Sequence, residues 1–427
     1  MVGLTVIALV GLPGCQIAKA GTRCRHAGET GQDATFVLQC KAGRWRRIMT
    51  KVQAAQILAA LITARSVRSV ATGAAHTCAA TEDGKVRCWG RNSSGQLGDG
   101  TMIDRLQPVE TWEHGNVIEV HAGADFTCAL HQHFDVPGGA VNCWGSDARG
   151  QLADGGRLNS SWPVPSGVPF SPLGWDYGYS AVSTGREYAC AGDEHGIWCW
   201  GSNTAGQLGD ATTMDRGRPV AVVGYTRWVP MVTGTSHTCA GPTDYYHGGI
   251  ECWGSNASGQ LGDGTGVDHS TPSAVPGITN AIAFAAGGDH TCAVINNGTA
   301  QCWGSDGAGE LGDGTTTDRP TPTPVTGVAG VTAITAGPRD TCVVLVDATA
   351  MCWGDNSFGQ LGSGSIGGSG PAHVAGLTGV TSISIGDDHT CAVASRKLYC
   401  WGRNDAGQLG DGTTTDSPLP RPVNVAG

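Results

Sequence analysis

The chain has 427 residues, among them 68 glycines and 17 cysteines, and a formal net charge of −10. The charge is split: residues 1–70 carry ten Lys and Arg against two Asp and Glu, whereas the remainder carries 16 against 34. So acidic a body argues against a nucleic-acid partner, whose phosphates need a basic surface.

The first element is a short apolar run, Val2 to Gly11, followed by Leu12-Pro13-Gly14-Cys15. The run is too short to cross a bilayer and has the length of a signal-peptide core. Leu12 to Cys15 resembles the bacterial lipoprotein cleavage box, which implies a lipid anchor on Cys15; a plain secretory signal and a buried strand are the alternatives. Residues 1–15 are therefore expected to be a signal segment. Residues 16–66 form a second, basic section. In it, Cys24 and Cys40 are expected to pair and staple a small hairpin, and Val52 to Ile62 is rich in helix formers. A short helix or a linker is expected there. A basic stretch beside an anchor can touch anionic head groups, although a soluble tether is the plainer reading.

From residue 67 to 427 the chain repeats itself. Cys-Trp-Gly recurs at Cys88, Cys143, Cys199, Cys252, Cys302, Cys352 and Cys400, at spacings of 48 to 56 residues. A period near fifty marks a repeat architecture. One copy runs Val331 to Gly337, Asp340 to Leu345, Ala350 to Gly354 and Gly359-Gln-Leu-Gly362. Short runs rich in Val, Ile, Thr and Cys between Gly and Asn read as strands joined by tight turns, and Asn297-Gly298 is a strong hairpin signal. A Pro-x-Pro-Val segment such as Pro322 to Val325 supplies a fourth strand, where proline suits an edge. Four antiparallel strands per copy and seven copies predict an all-β, seven-bladed β-propeller. The first copy opens on its inner strand at Val67 and the last ends in Pro420-Arg-Pro-Val423, so the C-terminal strand is expected to close the ring by completing the blade begun near Val67.

The pattern Gly-x-x-His-Thr-Cys-Ala, then Cys-Trp-Gly-x-Asn-x-x-Gly-Gln-Leu-Gly-Asp-Gly, resembles the repeat of the regulator-of-chromosome-condensation family. The likeness covers residues 67 to 427 and implies the same seven-bladed propeller. Among known members are eukaryotic guanine-nucleotide exchange factors and secreted bacterial inhibitors of β-lactamases. Both dock a propeller face on a protein, with interface residues outside the repeat motif, so neither role transfers residue by residue. A bacterial, exported member is the expectation here.

Fourteen repeat cysteines form seven pairs: Cys78 with Cys88, Cys128 with Cys143, Cys190 with Cys199, Cys239 with Cys252, Cys292 with Cys302, Cys342 with Cys352, and Cys391 with Cys400. Each pair sits on the two strands of one hairpin, within disulfide reach at non-hydrogen-bonded positions. Zinc is the rival reading, but the Cys-x-x-Cys clusters are lacking; free buried thiols are a third. Disulfides imply an oxidising compartment, hence a periplasmic, outer-membrane, surface or secreted protein.

The tryptophan after each second cysteine falls on the opposite blade face from the sulfur and is expected to pack between blades rather than to cage a ligand. His76, His237, His290 and His389 alternate with Phe126, Tyr188 and Asp340 at one repeat position, which suits packing and hydrogen bonds better than a metal. Asp-Gly-Thr turns such as Asp99 and Asp313 lack the dense carboxylates of a calcium loop. Neither metal nor cofactor is expected. Function is sought where the copies differ. Insertions at 110–116, 131–139, 165–179, 222–227 and 242–249 belong to loops that share one face of an up-and-down ring. They and their edges carry Trp112, Phe134, Phe170, Trp175, Tyr177, Tyr179, Tyr225, Trp228, Tyr245 and Tyr246. Tyr and Trp on loops of a rigid scaffold are what binding sites use; loops burying their own aromatics are the alternative. The expected function is a monomeric, non-enzymatic module that docks a protein or a glycan on that face. An enzyme acting on polysaccharide or cell wall through the central channel, and a purely structural spacer, are the rivals.

Overall fold

The computed structural model of the protein describes residues 16–17, 30–32, 36–41, 44–50, 66–113, 115–132, 139–167, 179–227, 229–241 and 249–425. It divides into two compact units, Met1–Ser66 and Val67–Gly427. No helix among the described residues is long and apolar enough to cross a membrane.

The smaller unit contains one four-stranded sheet, Gln16–Ile17, Thr30–Gln32, Phe36–Lys41 and Arg44–Thr50, in that order. Phe36–Lys41 and Arg44–Thr50 pair antiparallel, with Cys40 opposite Trp45. Cys15, Cys24 and the expected helix over 52–62 lie outside the described residues.

The larger unit is a ring of seven sheets, each of four consecutive antiparallel strands. The innermost strands are Val67–Thr72, Val117–Ala122, Ala181–Thr184, Met231–Thr233, Ala281–Ala286, Val331–Ala336 and Val380–Ile385. Second and third strands are the buried heart of each blade: His76–Thr81 and Val86–Gly90 are buried throughout. Fourth strands, such as Arg105–Glu110, are partly exposed, as their prolines require. Asn297-Gly298 makes the predicted turn, with Gly298 at φ 79° and its N–H on Ile295 O.

All seven repeat disulfides are formed, with Cα atoms 4.1 Å apart. Cysteines face each other directly in register even where the hairpin is long. Cys128 pairs with Cys143 because the extra residues fall beyond Gln132 and Gly139, at the tip. The alternation read from sequence is what joins the blades. The disulfide of one blade packs against the tryptophan of the next: Cys78 and Cys88 with Trp144, Cys342 and Cys352 with Trp401. The ring closes the same way, with Cys391 and Cys400 against Trp89.

One expectation needs correction. The C-terminal strand, Ser417–Val423, pairs with Lys397–Gly402 and finishes the seventh blade; the blade begun at Val67 is completed by its own Arg105–Glu110. Every repeat carries its own fourth strand, so closure needs no exchange. Side-chain contacts between blades seven and one suffice, helped by Val67 N–H on Arg396 O.

Candidate binding surface

Conspicuous polar groups are consumed by the scaffold. At each junction the carbonyl of the Gly-Gln-Leu-Gly glutamine, or of Glu310 in blade five, faces the next blade. Gln260 O accepts Trp303 Nε1 at 3.0 Å and Thr291 Oγ1 at 2.8 Å. Gly410 shows why glycine closes this turn: at φ 70°, a Cβ there would lie 2.6 Å from Trp89 Nε1. The threonine hydroxyl, having given its proton to that carbonyl, can only accept from histidine. So His76, His237, His290 and His389 donate Nε2–H to Thr127, Thr291, Thr341 and Thr77, each at 2.9 Å. Burial holds His76, His237 and His389 down to about 3 and His290 to about 4, so all four are neutral. Tyr188 takes the same place with its hydroxyl on Thr238 at 3.0 Å. Asp340, also there, is buried with Oδ2 unpartnered; desolvation, then Asp355 and Asp388, push its carboxyl well above the usual range.

The Asp-Gly-Thr carboxylates are likewise occupied. Asp99 and Asp313 bind Arg105 and Arg319 at 2.7 and 2.8 Å, Asp263 binds His269 at 2.9 Å, and Asp411 accepts from Thr413; Asp210, in an Asp-Ala-Thr turn, binds Arg216 at 2.7 Å. Among the described residues no group of three or more His, Cys, Asp and Glu is placed to hold a metal ion.

The innermost strands line a channel that narrows to one end. Its wide part, about 420 Å³, has Val70, Phe284, Ile334 and Ile383 on its wall, with Glu119 and His121 paired at 3.3 Å. Its narrow end, about 90 Å³, is ringed by first-to-second turns such as Gly73, Gly234 and Gly337. There Arg186 of blade three reaches Asp387 of blade seven at 3.3 Å and crosses the opening.

Of the ten aromatic candidates, the structure describes three. Tyr179 is 1% exposed, its ring 6.3 Å from Trp200, and its backbone exchanges two hydrogen bonds of 2.7 Å with Gly139. Tyr225 is half-buried against Trp253, its hydroxyl on Glu251 at 2.7 Å. Burial, then Glu251, pushes that phenol up. Tyr179 belongs to the core cluster that holds Trp200, and Tyr225 packs against the one that holds Trp253, so both offer little surface. Trp112 is 52% exposed. Its Nε1 bonds Asp99 O at 3.1 Å, and its ring meets Trp162 at 4.9 Å. Phe134, Phe170, Trp175, Tyr177, Trp228, Tyr245 and Tyr246 lie outside the described residues. Trp162, 48% exposed on the outer strand of blade two, is the residue the sequence reading passed over. Its signal was available: the same register position holds Gln107, Arg218, Thr271 and Thr321 in other blades. The resulting surface is an exposed indole pair across the junction of blades one and two, carried by their partly exposed fourth strands.

A family profile described as an RCC1-like domain matches residues 24–337. Profiles of the regulator of chromosome condensation (RCC1) repeat match 331–360 and 380–408, and 351–393 and 397–427. The ultraviolet-B receptor UVR8 of Arabidopsis thaliana is 30% identical over 240 residues, 53% of this chain and 50% of that protein. The E3 ubiquitin-protein ligase HERC2 of Homo sapiens is 29% identical over 230 residues, 52% of this chain and 4% of that protein. The matched region is thus about half of UVR8 and a small part of HERC2. Among solved structures, human WBSCR16 superposes with a TM-score of 0.71 at 24% identity, covering 80% of this chain and 95% of the other. Yeast RCC1 (Prp20), bound to Kap60, gives 0.69 at 19% identity, covering 80% and 84%. At those identities the likeness is one of fold.

Proposed function

The chain belongs to the family of RCC1-like β-propellers, and on that premise we propose that it is a non-enzymatic interaction scaffold that docks another macromolecule on the rim of its first four blades. The observation that carries this reading is the exposed Trp112–Trp162 pair. Each repeat tryptophan, from Trp89 to Trp401, is fully buried. Two half-exposed indoles in tilted contact, Trp162 on an outer strand and Trp112 just beyond one, therefore depart from the molecule's own rule and have the character of a binding hot spot. The yeast relative of this fold was crystallised with Kap60, and another structure of it is described with its binding to Gsp1p and histones. Those partners are its own, and the analogy of fold supports only the general reading that this chain binds a protein.

The channel reading as an enzyme has less support. Strongly perturbed groups such as His76, His237, His389 and Asp340 lie inside blade junctions, away from the residues that line the channel. A spacer role would leave the aromatic pair buried. The seven internal disulfides favour work outside the cytoplasm, with the Cys15 segment as leader and lipid anchor. Cross-linked capture from the native source tests the central claim, using the full chain and a Trp112→Ala/Trp162→Ala variant as baits. A partner taken by the native bait and lost from the variant is the expected result. Equal capture by both removes the indole pair as the site.

A further inference from the structure

Two residues before each fourth strand, blades one to four present Ile103, Leu158, Met214 and Val267, which are 62%, 83%, 60% and 64% exposed. The four positions are equivalent by hydrogen bonding as well as by count. The next residue in each case, Asp104, Asn159, Asp215 or Asp268, accepts a backbone N–H from Asn92, Asp147, Asn203 or Asn256 at 2.7 to 3.0 Å. Blades five and seven make the same bond through Asp318 and Asp416, yet carry Thr317 and Thr415 at the preceding position. The turn therefore does not require an apolar residue. A lone exposed Leu is ordinary; four large apolar side chains at one position of four successive blades form an arc, and such surface marks a contact site. The arc lies where third strands cross to fourth, at the end of the ring that also holds the narrow mouth of the channel.

Its charge indicates what fits. The four turns, 99–105, 154–160, 210–216 and 263–269, carry seven Asp against three Arg, of which Arg105 and Arg216 are held by Asp99 and Asp210 at 2.7 Å; beside Asp215 stand Arg149 and Arg157. Both arginines are drawn to Asp215, at 3.3 and 3.7 Å, and Arg149 also to Glu187 at 3.8 Å. The surroundings are net acidic, so a cationic partner gains and an anionic one is repelled. We propose that this arc docks a protein segment whose apolar side chains are flanked by Lys and Arg. The proposal rests on the reading of the chain as an interaction scaffold and names the chemistry of its partner.

The test uses the full chain and a variant in which the arc adopts what blades five and seven already carry: Ile103→Thr, Leu158→Thr, Met214→Thr and Val267→Thr. An unchanged melting temperature verifies the fold. The probes are three synthetic 15-residue peptides, built from Leu and Lys, from Leu and Glu, and from Ser and Lys, with binding followed by fluorescence anisotropy. The native chain is expected to prefer the Leu–Lys peptide, and the variant to bind it about tenfold more weakly or worse. Equal binding by variant and native chain, no binding of the Leu–Lys peptide, or equal preference for the Ser–Lys peptide overturns the proposal. The scaffold reading is judged separately by the Trp112→Ala/Trp162→Ala capture. Capture lost there while peptide binding is indifferent to the arc removes this inference alone.

Discussion

The Gln260 carbonyl, taking one donor from Trp303 and another from Thr291, shows how single residues set this fold. Trp303→Phe keeps a ring against the Cys239–Cys252 disulfide but deletes the N–H, leaving a buried acceptor with one partner instead of two. A loss of about 1–2 kcal/mol is expected in urea unfolding. The neutral histidines make stability pH-dependent. Unfolded, each binds a proton near pH 6.5; folded, three do so only near pH 3 and His290 near pH 4. Between those limits the unfolded chain holds more protons, so stability is full above pH 6.5 and falls as the pH drops toward 3. The slope is about 1.4 kcal/mol per pH unit for each histidine that stays neutral. Melting temperatures between pH 7 and 4 should fall, and less steeply for His290→Gln. Asp340 has the opposite sign: its folded form stays protonated while the unfolded carboxyl ionises near pH 4, so its contribution is lost as the pH rises. Asp340→Asn is thus expected to raise the melting temperature at pH 7 and leave it nearly unchanged at pH 4.

At the scale of the element, each hairpin is joined by its own disulfide, across sequence separations of 9 to 15 residues. Removing one by Cys342→Ala/Cys352→Ala is expected to cost about 3 kcal/mol through the freed unfolded chain. The sulfurs also fill space against Trp401, so the loss includes packing; guanidinium unfolding of the double variant measures both. Hairpins were legible because cysteine spacing, Asn-Gly turns and alternating apolar residues all act within some twenty residues. Fourth strands were legible less evenly. Blade six keeps only Ala372–His373, since a glycine-rich stretch from Gly364 to Gly370 stands where other blades carry proline-rich edges. The roles of Tyr179 and Tyr225 were not legible: both read as loop aromatics, and both pack against a repeat tryptophan more than twenty residues further on.

Across the whole ring, the Arg186–Asp387 pair joins blades three and seven, which are distant in sequence. Both side chains are partly exposed, 47% and 32%, so solvent screening limits its worth. Arg186→Ala should change stability by less than about 1 kcal/mol in thermal unfolding. The sequence alone determined the number of blades, the strands of each hairpin, the cysteine partners and the inward place of the tryptophans, because a fifty-residue period and strand alternation fix these locally. The tertiary structure alone decided which aromatics reach the surface, that each blade keeps its own fourth strand, and that Ile103, Leu158, Met214 and Val267 line up. Those four are some fifty residues apart in the chain, each one residue before the Asp or Asn that closes its turn. Only the closure of the ring, through contacts between successive blades, brings their exposed side chains onto one arc.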